Sequence, residues 1–307
     1  MSGYLAPYSV NAGEPDFKKT IAYVKRLEGR SDFPVSVTFS YYYLASLSLL
    51  GEKVPEDTKM KVVAFVLSSQ NSDGGFSDGT SYNKNSSPVG TFYALNALRE
   101  AGHLDKIRRD RAVHYILGLQ NRDGGFSFKR GGQSLISATY YCVMSLKELG
   151  AIDRLERESV RRYVMGLYDE KSGGFAIFPG MPGNLRATFW AATTLRAIGA
   201  LDRPTSERIA HFFSKTRYSG RSNRRFVGPP KVDEAHMVYE ALYHMGHLEV
   251  VDRARAIAFL KGLYIDFNGG FGPFPGYGST HPSTFHALKA LYYLGALETT
   301  SKNRVGE

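Results

Sequence analysis

Five cations fall within fifteen residues: Arg217, Arg221, Arg224, Arg225 and Lys231. Guanidinium groups present a planar fork of donors that matches phosphate oxygens. A fixed cluster of them stabilises charge developing on a departing pyrophosphate. Asp233, Glu234 and His236 follow at once, and His286 stands 50 residues beyond His236. A second set of residues is aromatic and comes in neighbouring pairs: Tyr41 and Tyr42, Phe92 and Tyr93, Tyr140 and Tyr141, Phe189 and Trp190, then Phe285 with His286. Rings in this number suit a cavity for a long apolar ligand or a carbocation. They equally suit helix–helix packing, and since sequence neighbours on a helix point about 100° apart, half of them must serve packing. His236, Glu240 and His244 share one helix face at steps of four and read as structural.

The elements that position these residues repeat. Gln70-Asn71-Ser72-Asp73-Gly74-Gly75-Phe76 returns as Gln120-Asn121-Arg122-Asp123-Gly124-Gly125-Phe126, as Lys171-Ser172-Gly173-Gly174-Phe175 and as Asp266-Phe267-Asn268-Gly269-Gly270-Phe271. Where a further copy is due, the sequence reads Ser222-Asn223-Arg224-Arg225-Phe226, which places two arginines at the glycine positions and spaces the Phe residues by 50, 49, 51 and 45. A period of this size marks a repeat architecture. Six helices each end at a glycine (Gly51, Gly102, Gly150, Gly199, Gly246, Gly295), the pattern of a Schellman stop. Eleven residues before each glycine stands Ser40, Thr91, Thr139, Thr188, Ala235 or Thr284, which predicts hydroxyl groups near five helix N-termini. A second series of amphipathic helices leads into the Gly-Gly turns, and residues 17–27 form the first of that series. Sustained alternation is absent, so the expected fold is all-α, built from six helix pairs over 17–297, with a lead-in over 1–16 and a tail over 298–307. Local pattern does not choose between an open solenoid and a closed α/α barrel.

With 307 residues, 43% of them apolar and 22% charged, the chain has the composition of a globular protein with a large core. The net charge of +10 favours an anionic partner, and no like-charge run forms an arm for nucleic acid. Cys142 is the single cysteine, which excludes an internal disulfide and a multi-cysteine zinc site. No apolar run reaches the length of a membrane span and no secretory leader is visible, so the expected location is the cytoplasm.

The Gln-x-x-Asp-Gly-Gly-Phe turns, the helix pairing and the period of about 50 residues resemble the β subunits of protein prenyltransferases and, in related form, the class II terpene cyclases. The resemblance spans about residues 17–297 and implies a single (α/α)6 toroid with the helices that follow the turns on the inside. It implies an enzyme that handles a prenyl diphosphate, with the chain in an aromatic-lined barrel and a helical α-subunit as partner. For the diphosphate it points to Arg186, in the fourth inner helix, together with Arg221, Arg224, Arg225 and Lys231. The prenyltransferase pattern holds zinc on Asp, Cys and a later His. Here Asp233-Glu234-Ala235 puts Ala at the Cys in one register, while a gapless count from Gly246 and Gly295 puts Asp233 at the Cys, Lys231 at the Asp and Ser283 at the His; Asp233, His236 and His286 are the substitute metal set, with magnesium as a companion of the diphosphate. The cyclase pattern assigns Asp233 as the general acid and Glu234 as its neighbour. Lys231 in front of them counts against this second function, since a nearby ammonium favours the ionised carboxylate. A third expectation is a non-catalytic toroid that binds a lipid or a protein.

Overall fold

The computed structural model describes residues 14–80, 84–221 and 228–297. Among them are twelve α-helices: α1 (Phe17–Lys25), α2 (Val37–Leu49), α3 (Glu56–Ser68), α4 (Pro88–Ala101), α5 (Arg109–Leu117), α6 (Ile136–Glu148), α7 (Arg157–Met165), α8 (Leu185–Ala197), α9 (Arg203–Ser214), α10 (Val232–Met245), α11 (Arg253–Lys261) and α12 (His281–Tyr293). The only described strands are two antiparallel two-residue pairs at Gly-Gly turns, Tyr168–Asp169 with Gly174–Phe175 and Tyr264–Ile265 with Gly270–Phe271. The all-α expectation holds. The chain divides into two compact units. One comprises Pro34–Tyr41 and Pro55–Ile209; the other comprises Met1–Phe33, Tyr42–Val54 and Ala210–Glu307. In the first unit α6 packs between α4 and α8; in the second α10 packs along α12.

The even-numbered helices end as the glycines require. All six stop glycines have φ between 59° and 76°. In each case the next residue's N–H reaches back five residues to a carbonyl, as from His103 to Leu98 and from Ala296 to Leu291, both at 2.8 Å. That is the Schellman closure, in which glycine supplies the left-handed conformation without steric cost.

The hydroxyl column does something other than cap. Thr91, Thr139, Thr188 and Thr284 are each the fourth residue of their helix, wholly buried. Each Oγ1 accepts a hydrogen bond from the backbone N–H of the Gly-Gly-Phe phenylalanine 13 or 15 residues earlier: Phe76 (3.0 Å), Phe126 (2.9 Å), Phe175 (2.9 Å) and Phe271 (3.0 Å). Capping falls to other residues, including Ser87, Asn184 and Thr280. The threonine therefore ties the turn to the helix that follows, satisfying a donor that would otherwise be buried and unpaired. The four phenylalanine side chains are fully buried, so the turn is held by its ring and its backbone at once.

The glycines set how closely each turn meets the following odd-numbered helix. Gly74 has φ +96°, and a side chain there would overlap the carbonyl of Arg111, the third residue of α5. Gly124 and Gly269 meet the third residues of α7 and α1 (Ser159 and Lys19) in the same way.

This geometry corrects the register of the fifth copy. Gly220, with φ +69°, faces the Asp252 and Arg255 side chains at the start of α11, and Arg255 is that helix's third residue. The Arg221 N–H donates to Ser219 Oγ at 3.1 Å, as Gly75 donates to Asp73 and Gly270 to Asn268. Gly220 also lies twelve residues before α10, the offset by which Gly124, Gly173 and Gly269 precede α6, α8 and α12. Gly220 and Arg221 thus hold the two glycine positions, and the glycine spacings become 50, 49, 47 and 49. Arg224, Arg225 and Phe226 lie outside the described residues. This copy has Ala235 in place of the threonine and uses another tie. The Lys231 N–H donates to Tyr218 Oη (2.9 Å), that hydroxyl donates to Glu234 Oε2 (2.6 Å), and the Tyr239 hydroxyl donates to the Tyr218 carbonyl (3.0 Å).

Candidate functional site

Counting back from the stop glycines aligns two ring columns. Ten residues before the glycine stand Tyr41, Phe92, Tyr140, Phe189, His236 and Phe285; nine before stand Tyr42, Tyr93, Tyr141, Trp190, Met237 and His286. In the first unit these residues touch from helix to helix. Tyr41 of α2 lies 5.8 Å from Tyr93 of α4, Phe92 lies 5.8 Å from Tyr140 and 5.4 Å from Tyr141 of α6, and Tyr140 lies 5.6 Å from Phe189 of α8. The centroid separations are those of tilted aromatic pairs, worth about 0.5–1.5 kcal/mol each beyond their burial. Tyr41, Tyr140 and Phe189 are buried; Phe92, Tyr93, Tyr141 and Trp190 are half-buried. The wall therefore both packs and presents: α6 and α8 bury the ten-before ring and leave part of the nine-before ring accessible, and α4 leaves both half-buried. Burial pushes the Tyr141 hydroxyl up and the neighbouring Tyr93 adds to this, while the positive charge of Arg186 acts the other way. Arg186, the second residue of α8, is half-buried and lies within electrostatic reach of the wall.

In the second unit the same columns carry imidazoles. Tyr42 stacks on Phe285 at 4.8 Å and meets His286 edge-on at 5.7 Å. His236 of α10 is 7% exposed, and its Nδ1 lies 3.0 Å from Nδ1 of His286 on α12. This pairs the ten-before position of one helix with the nine-before position of the next, the contact that Phe92 makes with Tyr141. On the other side of the ring, His236 Nε2 stands 3.2 Å from Glu240 Oε2, an ion-pair separation outside hydrogen-bond alignment. The Tyr293 hydroxyl donates to Glu240 Oε1 at 3.2 Å, and its ring lies parallel to His236 at 5.9 Å. Lys289 sits over the Tyr293 ring at 5.1 Å. Burial works against ionisation of Glu240, but contact with His236 and the charges of Lys289 and His244 outweigh it and bring the carboxyl to about 2.

The remaining sequence-derived residues are placed as follows. Glu234 is engaged by Tyr218 in the fifth-copy tie, and Asp233 is the half-buried second residue of α10. Arg221 and Lys231 are exposed, and Arg217 donates to the Gly228 carbonyl at 2.6 Å. Arg224 and Arg225 lie outside the described residues. For the metal set, His236 and His286 do meet, but Asp233 does not complete a group. Among the described residues no three His, Cys, Asp or Glu side chains are arranged to hold a metal ion. The imidazoles direct Nδ1 at one another and neither register puts a cysteine at the family's Cys position, so the residues described do not fit a three-ligand zinc site. Sequence reasoning set Glu240 aside and did not single out Tyr218, Tyr239, Tyr293 or Gly220. No helix among the described residues is long and apolar enough to cross a membrane.

Residues 18–136 and 127–307 match the prenyltransferase α/α toroid domain family. Among solved structures the chain is similar to Candida albicans protein geranylgeranyltransferase-I complexed with GGPP, at 16% identity over 92% of both chains with a TM-score of 0.77. It is similar to the apo form of the type II terpene cyclase MstE from Scytonema, at 15% identity over 92% of this chain and 96% of that one, with a TM-score of 0.60. A protein from Actinoplanes matches at 11% identity over 91% and 100%, with a TM-score of 0.56. At such identities the likeness is one of fold. With two overlapping family matches that together run from residue 18 to 307, the chain belongs to the prenyltransferase α/α toroid domain family.

Proposed function

We propose that this protein binds a prenyl diphosphate and transfers the prenyl group to an acceptor. The observation that carries the reading is the aromatic wall. Four helices bring Tyr41, Phe92, Tyr93, Tyr140, Tyr141 and Phe189 into one unbroken run of ring contacts. Ring faces stabilise a developing allylic cation, and half-buried rings hold a polyisoprenoid chain without an unmet polar group. Arg186 supplies a cation beside the wall for the diphosphate, and the Candida transferase of similar fold was solved with GGPP bound. The basic segment containing Arg221, Arg224, Arg225 and Lys231 is the second candidate for the diphosphate.

Trp190 is the sole tryptophan and adjoins Phe189 of the wall, so its emission is the direct reporter. Titration with geranyl, farnesyl and geranylgeranyl diphosphate is expected to quench it saturably. A charge-assisted hydrogen bond is worth about 1.5–3 kcal/mol, so Arg186→Met weakens binding roughly 10- to 100-fold if Arg186 holds the diphosphate. Arg224→Ala combined with Arg225→Ala measures the share of the basic segment. A flat titration with all three ligands would refute the reading.

A further inference from the structure

The third copy of the repeat leaves open a space that the second copy fills. Gly118 and Gly166 are equivalent: they follow α5 and α7 and precede the buried Leu119 and Leu167. In the second copy the Arg130 guanidinium lies over Gly118, with Nη2 2.9 Å from where a β-carbon would stand. Arg130 comes four residues after the turn phenylalanine Phe126, and the residue four after Phe175 is Pro179. A proline ring cannot reach back as an arginine does. A β-carbon on Gly166 would meet the Tyr163 and Arg162 carbonyls at 3.3 and 3.4 Å and nothing else within 4 Å. What opens there is a cavity of about 510 Å³ lined entirely by residues of the first unit.

Its lining is apolar in one part and basic in another. The buried Leu167 is joined by Ile177 and Phe178, which are 40% and 37% exposed. All four exposed large apolar side chains described in this unit, Phe128, Ile177, Phe178 and Met181, lie on the loops that leave the second and third turns. Apolar side chains left exposed together at a concave site mark a surface for a ligand. Arg122, on the second turn, and Arg162, on α7, supply the charge. Among the described residues Arg122 forms no ion pair, and Arg162 has a loose one to Glu156 at 3.9 Å, between exposed side chains. The carboxylate in the lining, Asp123, is already engaged, since its Oδ1 accepts from Gly125 N–H at 3.0 Å and from Ser134 Oγ at 2.8 Å. Two cations therefore face one occupied anion, beside an apolar surface.

We infer that this cavity binds a small monoanionic amphiphile, an acyl or aryl chain bearing one carboxylate. The chain lies against Leu167, Ile177 and Phe178, and the carboxylate is held by Arg122 and Arg162, whose donor forks match its two oxygens. The volume falls within the range of small-molecule sites. No ring of the aromatic wall lines this cavity, and the inference does not depend on prenyl transfer.

Isothermal titration of the full chain with hexanoate, octanoate and decanoate tests this, with decanol and decylamine as neutral and cationic counterparts. Decanoate is expected to bind one to one, several-fold more tightly than each shorter acid, because every added methylene leaves water. Decanol is expected to bind about tenfold more weakly and decylamine not at all. Added salt should weaken decanoate, since both arginines are exposed. Arg122→Gln combined with Arg162→Gln is expected to lower decanoate affinity at least about tenfold. Gly166→Leu fills the cavity from a φ of −64°, which any residue adopts, and is expected to abolish binding. Both variants should keep the parent's circular-dichroism melt, which separates lost binding from lost fold. The inference is overturned if decanoate does not bind, if decanol binds as tightly, or if the arginine pair can be replaced without loss. It is overturned too if Arg186→Met removes the binding, which would assign the acid to the wall. A dimer in sedimentation that Phe178→Ser disperses would give the apolar surface to a second copy, against the inference. None of these outcomes touches the proposed function, which rests on the wall.

Discussion

Replacing Thr139 with valine exchanges one hydroxyl for a methyl and leaves the shape of the side chain. Thr139 is wholly buried; Oγ1 accepts from Phe126 N–H at 2.9 Å and donates to the Leu135 carbonyl at 3.0 Å. The Leu135 carbonyl also accepts the Thr139 backbone N–H at 2.9 Å, so it stays paired in the variant. The Phe126 N–H has no such reserve. It lies beside a fully buried ring, beneath a turn clamped by Asp123 and docked on α7, and water cannot reach it without opening the turn. An orphaned buried donor costs about 1–3 kcal/mol, and the gain from burying a methyl in place of a hydroxyl offsets a fraction of it. The net expectation is a loss of about 1–2 kcal/mol, read as a lower urea midpoint at unchanged slope. Ala235→Thr, at the equivalent position of α10, is the control. That helix is tied through Tyr218, so an added hydroxyl is expected to bring no matching gain. A Thr139→Val loss below about 0.5 kcal/mol, within the range of an ordinary surface change, would refute the assignment of the threonines as ties between turn and helix.

Further expectations concern the fifth copy, the polar seam and the wall. Gly220→Ala is expected to destabilise by about 1–3 kcal/mol, because φ is +69° and the new methyl lies 3.0 Å from Asp252 Cβ; Arg221→Gly is expected to be near neutral, and equal effects of the two on the urea midpoint would contradict the register. Glu240 titrates lower in the folded chain, at about 2, than in the unfolded one. Its contribution, on the order of 3 kcal/mol, is thus present above the ordinary Glu range near pH 4.3 and lost as pH falls toward 2. Glu240→Gln should flatten that acid limb in pH-dependent urea melts, and an unaltered limb would count against it. Tyr218→Phe removes both the acceptor for Lys231 N–H and the donor to Glu234, so it is expected to cost about 1–3 kcal/mol; a loss no larger than that of an exposed Tyr277→Phe change in the same melt would overturn the tie.

What was legible in the sequence was whatever repeats locally. The stop glycines, the Gly-Gly-Phe turns and the all-α pairing each depend on residues within a few positions of one another, and all are found as expected. The threonine column was visible as a fixed offset, but its purpose was not. The donor it satisfies belongs to the preceding turn, and a hydroxyl near a helix start reads first as a cap. The fifth copy was misaligned because Phe226 attracted the register. Ser219-Gly220 followed twelve residues later by a helix start carried the correct one. The same limit explains Glu240. On its own helix it is one step of four from His236, which is consistent with any helix face; its meaning comes from Tyr293 and His286 on α12, a full period away.

The two ring columns link the fold to its chemistry. One recurring ring contact between successive even-numbered helices sets the ten-before residue of one against the nine-before residue of the next, as in Tyr41 with Tyr93 and Phe92 with Tyr141. His236 with His286 repeats this contact, so these imidazoles stand in positions the other copies give to aromatic rings. A phenyl ring there would remove the imidazole that stands 3.2 Å from Glu240 and helps hold its carboxyl low. The histidine pair and Glu240 thus form one polar cluster at positions the repeat elsewhere gives to rings.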